Sequence, residues 1–235
     1  MNIIITGTGK GLGGALAAWY LERGHTVYGI SRSRNEELEK YRGFLFLLQD
    51  LSKFDEMEKS IPGFIQKAAP LDLVVLNAGV IAEIKDLKHT SLDEIRKVMD
   101  INVWANKILI DLISEAAGPI KQIAAISSGA SVSGNRGWNA YSISKAALNM
   151  MIKLYAREQD QTHFCSIAPG LIDSAMQDYI YSLPDNPDFP SVMNLKQAKS
   201  AGSMPSPGEA AGIVARALGK ALKEESGSFL DVREF

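Results

Sequence analysis

The chain has 235 residues, is 22% charged and 46% hydrophobic, and carries a formal net charge of -2. That length suits one large α/β domain, and the near-neutral balance argues against nucleic acid or an anionic membrane surface as the main partner. A single cysteine, Cys165, excludes an internal disulfide and suits a reducing compartment.

The chain opens "MNIIITG", with no basic stretch leading into a long apolar run, and its apolar runs are only strand length. The expected location is the cytoplasm. "NIIIT" (2–6) reads as a buried strand, and "GALAAWYLERG" (14–24) as a helix stopping at Gly24. Strands follow at "TVYGIS" (26–31) and "FLFLL" (44–48), separated by a short helix over "EELEKY" (36–41). The stretch 54–68 is helical but broken at Pro62-Gly63, and "LDLVVLN" (71–77) is the fourth strand. Ser91, with Glu94 three residues on, opens one long helix over 91–117 by a capping box. "KQIAAIS" (121–127) is a strand, 138–158 a second long helix, and "HFCSIA" (163–168) the sixth strand. Residues 182–207, rich in proline, serine and asparagine, form a long excursion, and a helix (208–222) and strand (228–232) close the chain. Repeated β-α units with continuously apolar strands imply a single-domain, doubly wound parallel sheet of Rossmann-like type over 1–235, with helices on both faces.

Between the first strand and the first helix lies "TGTGKGLGG" (6–14). Glycines there let backbone N–H groups approach a phosphate at a helix N-terminus. A common dinucleotide pattern fits Gly9, Gly11 and Gly14, but the strand ends near Thr6, so the turn should begin at Gly7. The register Gly7, Gly11, Gly13 is therefore preferred. At the end of the second strand, NAD-binding proteins usually place an acid. Here stand Ser31, Arg32, Ser33 and Arg34. Arginine attracts a 2′-phosphate both as a charge and as a planar fork, and Lys10 adds a second cation, so NADP(H) is favoured.

The fifth strand runs into "ISSGASVSGNRGWNAYSISK". Ser127 and Ser128 lie at its carboxyl end, where such sheets bind ligands, and Tyr141 and Lys145 share one face of the following helix. Lowering a tyrosine pKa from about 10 to about 7 takes about 4 kcal/mol. One cation about 6 Å away supplies roughly 2.8 kcal/mol at an effective dielectric of 20. Lys145 alone falls short, and an oxidised nicotinamide nearby could supply the rest. A merely structural Tyr–Lys pair is the competing reading from spacing alone.

Seven motifs in order now carry a resemblance: "TGTGKGLG" (6–13), "DL" (50–51), "NAG" (77–79), "IN" (101–102), Ser128, "YSISK" (141–145) and "PGLIDS" (169–174). The chain resembles the short-chain dehydrogenase/reductases over nearly its whole length, most strongly from Met1 to Met176. The resemblance implies Tyr141 as general acid or base, Ser128 as hydrogen-bond donor to the substrate oxygen, Lys145 as tuner of the tyrosine and holder of the nicotinamide ribose, and Asn102 as anchor of a relaying water. It also implies cofactor contacts from Gly7, Lys10, Gly11, Leu12 and Gly13, from Ser31 and Arg32, and from Asp50 and Leu51. Asn77, Ala78 and Gly79 would line the cofactor, and Pro169, Gly170, Ile172 and Ser174 its nicotinamide side.

Several residues stay open. Asn77 could only pin a turn, and Asn102 could only satisfy backbone groups. Ser127 would replace Ser128 if the register slipped by one. His25, His89 and His163 show no metal-ligand spacing, and Cys165 reads as core. Trp104 and Trp138 fit either core or substrate wall. In the family the excursion 182–207 is the substrate lid, and Tyr181, Phe189 and Met193 suggest an apolar substrate surface. The ending "SFLDVREF" departs from the glycine-rich end of many members, which puts a tetramer in doubt against a homodimer. The implied activity is NADPH-dependent reduction of a ketone or aldehyde. The alternatives are an NADP-dependent alcohol dehydrogenase, a 3-oxoacyl-thioester reductase, and a non-catalytic dinucleotide sensor.

Overall fold

Ile3 and Ile5 point to one face of the first strand and Ile4 to the other, and all three are fully buried. An alternating strand with no polar face must sit inside a sheet covered on both sides. The computed structural model, which describes residues 1–234, builds that arrangement. Seven strands form one sheet: β1 (Asn2–Thr6), β2 (Thr26–Ser31), β3 (Phe44–Leu48), β4 (Leu73–Leu76), β5 (Gln122–Ile126), β6 (His163–Ala168) and β7 (Ser228–Asp231). Their order is β3-β2-β1-β4-β5-β6-β7 and every pairing is parallel. The winding reverses between β1 and β4, which opens a crevice at the carboxyl ends of those strands.

One core packs α1 (Gly11–Leu21) and α10 (Pro207–Ala221) on Ile3, Ile5, Val75, Ala124 and Ile167, with Cys165 fully buried among them. The other packs α3 (Phe54–Ile65), α5 (Ala105–Ala117) and α7 (Asn139–Glu158) on Ile4, Ile30, Val74, Ile123 and Phe164. Between α1 and α3 lies the single turn α2 (Glu36–Glu39).

The helix over 54–68 is not broken at Pro62. It runs to Ile65, because Met57, Ile61 and Ile65 form one fully buried stripe that outweighs the missing proline N–H. Conversely, the single helix expected over 91–117 is divided. Ser91 caps α4 (Leu92–Met99) by the capping box, a wider π-helical turn covers Asp100–Trp104, and α5 follows. The wide turn shifts the backbone ladder, and Asn106 Nδ2 donates to the Asn102 carbonyl at 2.9 Å.

After β5 comes a short helix α6 (Ala130–Ser133), and after β6 come α8 (Ala175–Ser182) and α9 (Pro190–Ser200). The excursion 182–207 thus contains a helix of its own, with Pro190 in the first turn of α9, where its absent N–H does no harm.

Candidate active site

Thr6, the last residue of β1, ties the strand ends together. Its hydroxyl accepts from the N–H groups of Asn77 and Ala78, each at 2.9 Å, and Asn77 Nδ2 donates to the Thr6 carbonyl at 2.9 Å. Asn77 therefore does pin its turn, and it also lines the cleft beside it. A Cβ on Gly13 would lie 2.4 Å from both the Gly7 carbonyl oxygen and Asn77 Nδ2, so only glycine lets α1 approach β1 this closely.

The first turn of α1 carries no side-chain cap. Its free N–H groups open on a cleft of about 830 Å³ that runs along the strand ends. Space for an anion exists there, since a Cβ on Gly11 would meet nothing within 4 Å. Lys10 and Arg32 line this end of the cleft and are exposed. Arg34 is instead tied to Glu39 at 2.7 Å. Ser31 Oγ accepts from the Gly9 N–H at 3.3 Å, so that hydroxyl shapes the glycine turn. Asp50 and Leu51 also line this end, and the Ser52 N–H holds the Asp50 carboxyl below the usual carboxylate range. An uncapped helix end with two cations and no acid at the end of β2 fits a phosphorylated dinucleotide.

At the other end of the cleft β5 delivers Ser128, and α7 delivers Tyr141 and Lys145 one turn apart. Ser128 and Tyr141 line the same end of the cleft, and Ser128 Oγ accepts from the Ala130 N–H at 3.1 Å. Burial pushes the Tyr141 phenol up, an effect the nearby Ser128 hydroxyl opposes. Lys145 is buried; its Nζ donates to the Ile126 carbonyl at 2.7 Å and lies 5.7 Å from the centre of the Tyr141 ring. Burial lowers its pKa to about 8. Ser127 is buried, and its Oγ has no partner among the described residues. Both serines line the cleft, and Ser128 is the one that acts on the Tyr141 phenol.

Asn102 does not line the cleft. It is fully buried, accepting from the Val80 N–H at 2.8 Å and donating to the Val80 carbonyl at 2.9 Å and Ser144 Oγ at 3.0 Å. Its Oδ1 and Lys145 Nζ nevertheless flank one point above Gly79, where a Cβ would lie 3.2 Å and 3.5 Å from them. Of the remaining expected residues, Gly7, Leu12, Ala78, Gly79, Pro169, Gly170, Ile172 and Ser174 line the cleft, whereas Gly13 is packed beneath it.

The lid covers the Tyr141 end. Tyr181, Phe189 and Met193 do not line the cleft; Met176, Ile180 and Leu195 do. Phe189 packs instead over Gly137, where a Cβ would lie 2.8 Å from its ring, and only glycine serves there because φ is +94°. Arg136 clamps this region. It bonds the Asp86 carboxylate twice, at 2.7 and 2.9 Å, and Asp188 at 3.0 Å, with its guanidinium 5.6 Å from the Phe189 ring centre. Trp138 Nε1 donates to Ser191 Oγ at 2.8 Å and its ring lies 6.0 Å from that of Tyr141, so Trp138 is a wall of the site. Trp104 is 48% exposed on the surface. The C-terminal segment adds Asp231, Arg233 and Glu234 to the lining, residues the sequence motifs did not single out. Their signal was position: charges just past the last strand's carboxyl end face the crevice.

A cleft with an anion-binding end and a hydroxyl-lined end, laid across the strand-order switch, is the arrangement of a dinucleotide-dependent oxidoreductase. The chain belongs to the short chain dehydrogenase family, whose model matches residues 1–183. It is 31% identical to a benzil reductase ((S)-benzoin forming) of Bacillus subtilis over 99% of this chain and 98% of that one. It is 30% identical to an NADPH-dependent pterin aldehyde reductase of Arabidopsis thaliana, covering 74% of this chain and 76% of the relative. Among solved structures, the KRED1-Pglu enzyme superposes with a TM-score of 0.85 at 25% identity, covering 97% of this chain and 99% of the other. Among the described residues, no helix is long and apolar enough to cross a membrane.

Proposed function

We propose that this protein is an NADPH-dependent carbonyl reductase that converts an uncharged aromatic ketone or diketone to an alcohol. The observation that carries the reading is the meeting of Ser128 and Tyr141 in the cleft lining, with the buried ammonium of Lys145 one helical turn on and 5.7 Å from the Tyr141 ring centre. NADPH, when bound, supplies the hydride. The uncapped start of α1 would hold its pyrophosphate, and Lys10, Ser31 and Arg32 would hold its 2′-phosphate.

The substrate carbonyl accepts from Ser128 and Tyr141, which stabilise charge growing on its oxygen. Burial keeps Tyr141 protonated near neutral pH, so the phenol has a proton to give to that oxygen as the carbonyl carbon is reduced. The resulting tyrosinate is compensated by Lys145. The tyrosinate regains its proton from Lys145, which is resupplied by a water held on the second lone pair of Asn102 Oδ1, at the point above Gly79 that both groups face. The walls built by Trp138, Met176, Ile180 and Leu195 suit an aromatic or aliphatic body, in keeping with relatives named for benzil reduction. The protein works in the cytoplasm as a homodimer or homotetramer. Exposed Trp104, Ile143, Met150 and Leu154 on the α5 and α7 side supply the apolar surface for that contact.

The test is NADPH oxidation, followed by absorbance, across diketones, monoketones and aldehydes, with the alcohol quantified. One alcohol formed per NADPH consumed supports the reading. Tight NADPH binding without turnover of any carbonyl overturns it in favour of a dinucleotide sensor.

A further inference from the structure

Arg233 lies at the substrate end of the cleft, although it belongs to the last turn of the described chain. It bridges the two loops that frame the reacting carbonyl. Its Nη2 is 3.7 Å from where a Cβ of Gly129 would stand, next to Ser128, and its Cγ is 4.0 Å from the same point on Gly170. Asp231 pairs with it along one edge. One carboxylate oxygen accepts from the Arg233 N–H at 3.0 Å and from Nε at 2.8 Å, and the other accepts from Nη2 at 2.5 Å. That grip uses the inner edge of the guanidinium and leaves Nη1 without a partner among the described residues. A planar fork paired on one edge presents the other as a donor.

The charge around this donor decides what it receives. Asp231 neutralises it, and Glu234 adds a further negative charge to the lining. The corner therefore carries no net positive charge with which to capture a carboxylate or phosphate, yet it still offers N–H groups to a neutral oxygen. The rest of this end mixes the apolar side chains of Val132, Trp138, Met176, Ile180 and Leu195 with the neutral polar groups of Gln177, Ser191 and Asn194, and apart from Lys145 it adds no further charge.

We propose that Arg233, held by Asp231, is a specificity-determining residue whose free edge donates to a second, uncharged oxygen beside the reacting carbonyl, so that the enzyme prefers neutral vicinal dicarbonyls to monoketones and to 2-oxo acids. The inference rests on the carbonyl-reductase reading above and names the substrate class of that same site. Reduction consumes one carbonyl at Ser128 and Tyr141, and the oxygen at Arg233 leaves as the ketone of an α-hydroxyketone.

The experiment compares benzil, deoxybenzoin (the same two rings with one carbonyl replaced by methylene) and phenylglyoxylate as substrates. In Arg233→Gln, kcat/KM for benzil falls about ten-fold more than for deoxybenzoin, the low end expected for losing a charged donor at a partly solvated site. In Asp231→Asn, phenylglyoxylate gains several-fold relative to benzil, because the guanidinium charge is no longer neutralised. Arg233→Lys, which keeps the charge without the fork, recovers only part of the benzil preference. Equal factors for benzil and deoxybenzoin in both Arg233 variants overturn the proposal, as does loss of NADPH binding in both, which would make the residue structural. If the parent reduces none of the three, the reductase reading itself falls. If the parent reduces benzil and deoxybenzoin and their ratio is unmoved by substitution, only the role of Arg233 falls.

Discussion

The two ends of the cleft are built by different means. The nucleotide end is backbone: strand ends stitched through Thr6, a glycine approach too close for any side chain, and an uncapped helix start. The substrate end is side chains: the Arg136 clamp on Asp86 and Asp188, Lys199 on Asp173 and Asp178, Lys196 on Asp185, and Arg233 on Asp231. Backbone packing tolerates almost no variation, whereas exposed ion pairs each contribute little and exchange readily. One end can therefore stay constant in chemistry while the other changes its ligand.

Substitutions break this contrast in graded steps. Ser128→Ala removes a donor from the carbonyl oxygen, and kcat should fall about 10²- to 10³-fold with NADPH binding retained; steady-state rates and fluorescence titration check both halves. Arg32→Asp at the nucleotide end should weaken NADPH about 10- to 100-fold relative to NADH, as expected for losing a charged contact to the 2′-phosphate. Equal losses for both cofactors would remove Arg32 from that contact.

The pH dependence is set by Lys145. Its pKa falls from the usual lysine value of 10.5 to about 8, so the ammonium is present below pH 8 and lost as pH rises through it. Accordingly kcat/KM for NADPH, which reports the free enzyme, should decline above about pH 8. The same shift acts on stability with the opposite sense. Between about pH 8 and 10.5 the unfolded chain binds more protons at this lysine, so the contribution of Lys145 to stability rises with pH.

The smallest effect belongs to the clamp. Arg136→Ala should raise KM only about two- to three-fold, since the guanidinium itself is half exposed and Asp188 is largely solvated, while making the segment around Asp188 and Phe189 easier to cleave by protease. A kcat loss as large as that of Ser128→Ala would mean that the lid positions the chemistry and does not merely cover it.

What could be read from sequence follows the same division. Gly7, Gly11, Gly13, Arg32, Ser128, Tyr141 and Lys145 could be nominated from residue type at short spacing, and the structure brings all but Gly13, which packs beneath, into the lining of one cleft. The walls could not be. Phe189 looked like a substrate contact, but the glycine at 137 draws it away into packing. Helix α9 hid in a polar excursion because it buries only Val192 fully and is pinned by lysines reaching back to Leu183, Asp185, Asp173 and Asp178. Asp231 and Arg233 enter the site only because β7 lies beside β6, a pairing that local pattern does not reveal. The π-helical turn at Asn102 was likewise invisible, since a continuous helical pattern runs through it.

The most direct test of the central claim is Tyr141→Phe, assayed beside the parent for NADPH oxidation with benzil and for NADPH binding. The account predicts unaltered binding and turnover lowered at least about 10²-fold, because the phenylalanine has no proton to give. Turnover at the parent's rate would contradict it, and would move the proton donor to another group in the cleft.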